Sequence, residues 1–419
     1  MNRLQIALFA LLVTTWSVVG SANERSPLTL SAAFERATSA HPGLQAAKLE
    51  LDIAGGRRDA DALPPVMTVG LEVENFAGSG SVSGFDAAET TLGIARTLER
   101  GGKAKLRHAA GSQRVELADL EARVTRIELE AETERLFFAA LSGQASEQKA
   151  IEAVTLAEQL LAIVNRRVDV GRSSEAERHT ASIRLARARL ELRQARLSAS
   201  AARDRLAFQW GTDRADFDAV AGDLSRLPDL PDMQELRRRL ETNPELQRLA
   251  GEAELVAIQR KLASAAAKTD VELSARIRYL SDPNDAAFVV GVAVPIGQSR
   301  RATPMARAAR AKLTQLPLIS EQRRRVLLGV VAGLHAEIER RRLALTAIRD
   351  EMLPRAVASL ELYRNGYELG GYSLLELTEA QNMALGLGRE FIEVAAELHA
   401  IRIELTRLTG GARAPGASS

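Results

Sequence analysis

The chain has 419 residues, 46% apolar and 26% charged, with a formal net charge of +2, only 4% aromatic side chains and no cysteine. That length exceeds one simple core and suits two or three domains, and the composition excludes both a disordered chain and an ordinary polytopic helical membrane protein. A net charge near zero gives nucleic acid binding no support, and the missing thiol removes disulfide frameworks, thiolate metal sites and a cysteine nucleophile.

The N-terminus, "MNRLQIALFALLVTTWSVVGSAN", has Arg3, an apolar run from Leu4 to Gly20 and then the small residues Ser21 and Ala22. A charged start, an apolar stretch and a small-residue site form a secretory signal, assigned to residues 1–22 with cleavage near Ala22. A retained membrane anchor is the rival reading. Without a cysteine after the apolar run, lipid attachment is not available. No later stretch is long and apolar enough for a transmembrane helix, so the chain is expected to be exported.

The rest reads as one unit written twice, over 23–211 and 233–410, with a linker at 212–232 and a tail at 411–419 that is expected to be disordered. In the first unit a helix is predicted over 31–62, stopping before Pro64 and Pro65. Then Met67, Val69, Leu71 and Val73 alternate with Thr68, Gly70, Glu72 and Glu74, the two-residue period of a strand. Strands are predicted over 66–75 and 90–98, around the loop "FAGSGSVSG". A long helix follows over 103–168, with Ser142-Gly143 as a weak point. Along it Leu117, Leu120, Val124, Ile127, Ala131, Phe138 and Leu141 keep a coiled-coil spacing broken only by Glu134. Gly171 ends that helix, and the return helix carries a second seam of Ala181, Leu185, Ala188, Leu192, Ala195, Ala199, Ala202 and Leu206.

The second unit repeats the series. A helix is predicted over 233–266, strands over 271–279 and 288–296, a long helix over 303–367 and a last helix over 374–408, after the turn at Gly370. Pro317 and Pro354 should kink the long helix or mark its boundaries. "HPGLQAA" from His41 matches "NPELQRL" from Asn243, and "VDVGRSSEAERHTA" from Val168 matches "YELGGYSLLELTEA" from Tyr367. A repeat of about 200 residues is a duplicated domain half, not a solenoid unit. A helix of about 65 residues is roughly 100 Å long, and the shorter helices, stacked end to end, would run beside it.

Strands of about nine residues have the length that crosses an outer membrane when tilted. Val271, Leu273, Ala275, Ile277 and Tyr279 share one face, with Glu272, Ser274, Arg276 and Arg278 on the other. Phe288, Val290, Val292, Val294 and Ile296 form a last outward row. Tyr279, Phe288 and Phe76 are expected at strand ends as an aromatic girdle. Arg96 interrupts the outward row of its strand. Four strands cannot close a barrel, and an open edge is not tolerated in lipid, so a membrane reading requires several chains to share one barrel. Its inside, including Glu72, Glu74, Arg276 and Arg278, would line a water-filled lumen, and "FAGSGSVSG" and "SDPNDAA" would be external loops. The alternative is two hairpins packed on helices in a soluble periplasmic coiled-coil adaptor or scaffold without a barrel.

Over nearly all of the mature sequence the chain resembles the TolC-like family of outer-membrane efflux ducts, most strongly in "LPRAVASLELYRNGYELGGYSLLELTEAQ" from Leu353 and in the paired "HPGLQAA" and "NPELQRL". "LEVENF" from Leu71 and "LERGGK" from Leu98 resemble its CzcC-like heavy-metal branch. The resemblance implies a mainly α fold with a small β part. Three chains of four transmembrane strands each would share a 12-stranded β-barrel above a long α-helical coiled-coil barrel. It implies a homotrimer in outer-membrane lipid with a periplasmic extension. It also implies a periplasmic adaptor (membrane fusion) protein and an RND-type inner-membrane pump as partners, and divalent heavy-metal cations as cargo. The family's gate lies where the glycine turns, here Gly171 and Gly370, gather. Its acidic residues fall on Glu376 and Glu379, and a further one on Glu177. Tyr372 stands where the prototype has a tip arginine, so that prototype's salt bridges need not exist here.

No pattern points to an enzyme. His41, His108, His179, His335 and His399 are scattered, and "HAEIE" at His335 lacks the second histidine of a zinc helix, so neither metal site nor cofactor is expected. "GSGSVSG" lacks the strand–turn–helix context of a nucleotide loop. Arginine runs at Arg237, Arg323 and near Arg340 read as solvated helix faces or lumen lining. Ser174 with Glu177, and Ser373 with Glu376, have the spacing of capping boxes, so helix capping competes with gating for those two glutamates. Glu379, on the same helix face as Glu376, has no such role.

Overall fold

The computed structural model describes residues 26–226, 230–282 and 284–410; the signal segment and the tail lie outside the described residues. In chain order come α1 (Leu30–Ala40), α2 (Pro42–Ala62), β1 (Thr68–Glu74), β2 (Glu89–Leu98), α3 (Lys103–Asp169) and α4 (Glu175–Ala207). The series then repeats as α5 (Met233–Leu240), α6 (Pro244–Ala266), β3 (Val271–Leu280), β4 (Asp285–Ala293), α7 (Gln298–Ala347), α8 (Leu353–Leu369) and α9 (Leu374–Leu408).

The helices expected over 31–62 and 233–266 are each two helices, broken at the same repeated motif. In "HPG", Pro42 pushes His41 out of the helical region to ψ 120°, and His41 Nδ1 accepts the Gly43 N–H at 3.2 Å. In "NPE", Asn243 Oδ1 accepts the N–H groups of Glu245 at 2.9 Å and Leu246 at 3.2 Å. A proline at the first helical position gives up an N–H that had no partner there anyway, so the motif starts a helix instead of continuing one.

α3 is one helix of 67 residues, roughly 100 Å long. α2 lies along it toward the strands and α4 toward the far tip. Gly143 does not break it. The bare backbone lets α4 come close, since a Cβ there would sit 3.2 Å from Ala199 Cα. The seam of the return helix is buried at Ala181, Leu185, Ala188, Ala199 and Leu206. In the second unit α7 and α8 make the long rod, with α6 and α9 beside it. α7 begins ahead of the expected position 303 and runs through both Pro304 and Pro317. There Leu316 is held in a cluster with Leu249 and Val256 of α6. Just before Pro354 the helix widens into a π turn at Ile348–Met352, which relieves the clash of the ring with the preceding turn.

A central core sits at that level. It gathers Phe137 and Leu141 of α3, Leu206 of α4, Leu345 and Ile348 beside the π turn, and Ile392 and Ala395 of α9. Phe217, Val220 and Leu224, from the segment between the repeats, complete it, and a bridge from Val220 to Leu28 ties that segment to the start of the chain. His399 of α9 is 1% exposed beside this core. Its ring stacks on Phe138 at 3.9 Å, and its Nε2–H donates to the Leu224 carbonyl at 3.1 Å. Among the described residues its buried Nδ1 has no partner. Burial, aided by Arg402 nearby, lowers its pKa to about 4.

The folded state therefore binds fewer protons than the unfolded one between about pH 6.5 and pH 4, and stability falls as pH falls through that window. The full loss is about 3 kcal/mol. His399→Phe keeps the stack but cannot be protonated. Thermal unfolding of the chain should lose its steep dependence over that window in the variant, and an unchanged profile would remove His399 as its source.

Candidate functional site

At one end of the rods the strands form a single antiparallel sheet in the order β1-β2-β3-β4. The register aligns Leu71, Leu92, Ile277 and Phe288 in one row and Val69, Ile94, Ala275 and Val290 in the next. These side chains lie open: Leu71 is 69% exposed, Phe288 86% and Val290 79%. A contiguous apolar face of this kind marks contact with protein or membrane. Phe288 stands opposite Ile277, inside the sheet and not at its rim, because β4 begins at Asp285. β4 ends at Ala293, before Pro295, so Val294 and Ile296 lie past the strand. Phe76 is in the loop, stacked on Phe85 at 5.8 Å.

The opposite face is charged and internally paired. Arg278 donates to Glu89 at 2.9 Å, to Glu74 at 3.2 Å and to Thr91 Oγ1 at 3.1 Å. Arg276 stands 4.0 Å from Glu72. Gly93 clears space for it, since a Cβ there would overlap the Arg276 stem. β1 and β4 are the outer strands, and among the described residues nothing pairs with their free edges.

"LERGGK" turns out to build the joint between sheet and rods. Lys103 Nζ donates to both Asp270 oxygens at 2.8 Å and to the Lys268 carbonyl at 2.9 Å. The Arg100 N–H also reaches Asp270, at 2.9 Å. Arg107 forks onto Glu99 at 2.6 and 2.9 Å and donates to the Leu63 carbonyl at 3.0 Å, fixing the end of α2.

At the far tip α3 and α8 end in the same bond pattern. The N–H of Gly171 reaches the Val168 carbonyl at 2.9 Å and that of Arg172 the Arg167 carbonyl at 2.7 Å; Gly370 reaches Tyr367 at 3.1 Å and Gly371 reaches Gly366 at 2.8 Å. The turn needs a left-handed residue, and Gly171 and Gly370 supply φ of 72° and 88°. Ser373 and Glu376 then form a complete capping box. Ser373 Oγ accepts the Glu376 N–H at 3.3 Å, and the Glu376 carboxylate accepts from the Ser373 N–H at 2.8 Å and from its hydroxyl at 2.7 Å. Those bonds, the backbone one foremost, hold the Glu376 carboxyl below its ordinary range.

The equivalent glutamate of the first repeat behaves differently. Ser174 Oγ accepts the Glu177 N–H at 3.3 Å, but the Glu177 carboxylate accepts from the Tyr367 hydroxyl at 3.0 Å. Tyr367 is 1% exposed, clustered with Leu160, Val164, Leu374 and Leu377. Burial raises the pKa of its phenol. The Arg167 guanidinium lies 4.5 Å from its ring centroid, donates to the Tyr367 carbonyl and reaches Ser173 Oγ at 3.0 Å. Arg166 pairs with Glu368 at 3.3 Å. The two hairpins are thus locked side by side.

Tyr372 packs on Tyr363, ring centroids 4.7 Å apart, over Gly366, where a Cβ would overlap its ring. Glu379, on the turn after Glu376, is exposed and has neither hydrogen bond nor ion pair among the described residues. Sequence reading passed over Arg167 and Tyr367. The repeat alignment that pairs Val168 with Tyr367 also pairs Arg167 with Gly366 and Ser173 with Tyr372. Each repeat keeps a contact across the turn between those two positions, with the large partner exchanged. Among the described residues no helix is long and apolar enough to cross a membrane, and no group of acidic or histidine side chains could hold a metal ion.

Residues 33–212 match the family model for outer membrane efflux proteins. Over 392 residues the chain is 26% identical to the cobalt-zinc-cadmium resistance protein CzcC of Cupriavidus metallidurans, covering 92% of this chain and 90% of that protein. Its fold is similar to the outer-membrane channel OprN, with a TM-score of 0.76 at 20% identity over 91% of this chain and 90% of that one. It is similar also to CusC, at 0.76 and 18% identity over 93% and 94% of the two chains. The outer membrane protein VceC of Vibrio cholerae gives 0.73 at 17% identity over 91% and 96%.

Proposed function

We propose that three copies of this chain, whose residues 33–212 match the family model for outer membrane efflux proteins and which is 26% identical to CzcC over 392 residues, form an outer-membrane duct through which an inner-membrane pump expels its cargo. The open edges of the sheet carry the reading. β1 and β4 run in opposite directions, so β4 of one copy fits antiparallel against β1 of the next. Three sheets of four strands then close into a 12-stranded barrel that leaves no edge in lipid. The apolar rows face hydrocarbon and the Arg276 and Arg278 pairs line the lumen. Beneath, the long helices of neighbouring copies stand side by side as a tunnel through the periplasm. Ile183, Leu190 and Leu197, exposed at heptad spacing on α4, offer a seam to the neighbour.

A periplasmic adaptor and an RND-type pump engage the tips, and the likeness to a protein named for cobalt, zinc and cadmium resistance supports divalent metal cations as cargo. The test is the size of the mature chain in detergent, followed by planar-bilayer recording. A trimer with discrete conductance is expected. Extraction without detergent, and no conductance, would fit a scaffold without a barrel.

At the tip, three copies of the unpaired Glu379 would ring one axis. A ring of carboxylates favours cations. Glu379→Gln should bring the reversal potential in a salt gradient closer to zero while leaving the trimer intact. Glu376→Gln should instead act on the start of α9, because it removes the carboxylate that accepts from Ser373. A reversal potential unmoved by Glu379→Gln takes that residue out of the pore.

A further inference from the structure

One cation stands on the face given to lipid. Along β2, Thr91 and Gly93 point to the charged side and Leu92, Ile94, Arg96 and Leu98 to the apolar side. Arg96 is level with Leu273 and Val292 and is exposed, with no hydrogen bond or ion pair among the described residues. On that face the four strands carry no aspartate or glutamate. An arginine in mid-bilayer is strongly unfavourable, whereas one near the interface is tolerated. Arg96 lies one row from the tunnel end of β2, which Leu98 closes. A row along a tilted strand rises about 5 Å, and an arginine side chain spans that while its stem covers apolar surface.

More bare cations gather at the same end. Arg100 follows Leu98, and Arg300 and Arg301 open α7 just after Ile296; all three side chains are exposed and unpaired among the described residues. The acids beside them are already engaged, Asp270 by Lys103 and Glu99 by Arg107.

We propose that Arg96 and Arg100, at the end of the sheet where Arg300 and Arg301 also stand, bind the phosphate of an anionic phospholipid in the inner leaflet of the outer membrane. A guanidinium fork matches phosphate oxygens, and the headgroup lies at the level the Arg96 tip can reach. The site rests on the barrel reading above.

The test uses the mature full chain in phosphatidylcholine vesicles carrying a trace of spin-labelled phosphatidylglycerol or spin-labelled phosphatidylcholine, with the motionally restricted fraction read by electron paramagnetic resonance. Phosphatidylglycerol should be preferred about five-fold for each engaged arginine. The preference should fall toward equality in the Arg96→Leu, Arg100→Leu double variant and persist in Arg96→Lys. Arg96→Leu restores an unbroken apolar row, so insertion is not at risk. No preference in the wild type, or one unchanged in the double variant, overturns the lipid site alone. Loss of the preference on adding inorganic phosphate, at constant ionic strength, overturns it in favour of a soluble anion. A chain that floats with neither kind of vesicle overturns the barrel reading and this site together.

Discussion

Leu71→Arg should abolish assembly of the duct. Leu71 lies in the row with Leu92, Ile277 and Phe288, two rows deeper along the sheet than Arg96. Near the middle of the bilayer an outward arginine costs roughly 2–4 kcal/mol, and each of three copies carries it. Glu72→Arg, one residue along, turns the same side chain toward the lumen, where water solvates it. It loses only the loose approach of Arg276 at 4.0 Å. The first variant should yield no trimer in detergent extracts of the outer membrane. The second should yield normal trimer with altered ion selectivity. Equal assembly of both would mean that the two faces have been assigned wrongly.

Tyr367→Ala should have the largest effect at the other end. It empties a site that is 1% exposed and removes the hydroxyl bond to Glu177 and the ring beneath Arg167. Deleting a buried aromatic costs roughly 3–5 kcal/mol. The loss is local to the tip, about 100 Å from the sheet, so trimer yield should hold. What should change is single-channel conductance, which rises as the hairpins separate. Tyr367→Phe keeps the packing and loses one bond to a carboxylate, roughly 1.5–3 kcal/mol, so its conductance should lie between the two. If Tyr367→Ala conducts as the wild type does, the tip is not the narrowest point of the pore.

Much of this fold was legible because its signals are local. Alternation over Met67 to Val73 and over Val271 to Tyr279 announced the strands, and the glycine turn before Leu374 marked the last helix, Leu374–Leu408. The breaks at His41 and Asn243 were missed although their signal is equally local. A capping side chain before a proline starts a helix, but helix-favouring sequence on both sides invites reading straight through. The reverse held at Pro317, where packing of Leu316 carries the helix past a residue that usually interrupts it. The tip was harder for a different reason. Glu177 and Glu376 occupy equivalent positions after matching serines, and nothing nearby separates them. The difference comes from Tyr367, 190 residues away from Glu177, and a contact of that span leaves no periodicity to read.

In the trimer proposed above, the free edges of β1 and β4 also govern how the protein comes into being. Obligate assemblies often have no stable folded subunit, and a sheet whose borders belong to its neighbours has no finished monomeric form. Folding of the barrel and meeting of the chains are then one event, so the yield depends on how many chains arrive together. A newly made copy is at its most vulnerable while it waits, with an unpaired edge on each side ready to stick to the wrong partner. A damaged copy harms more than itself: once built in, it spoils the two seams it shares with sound ones, and a cell making both versions loses far more ducts than its share of faulty chains.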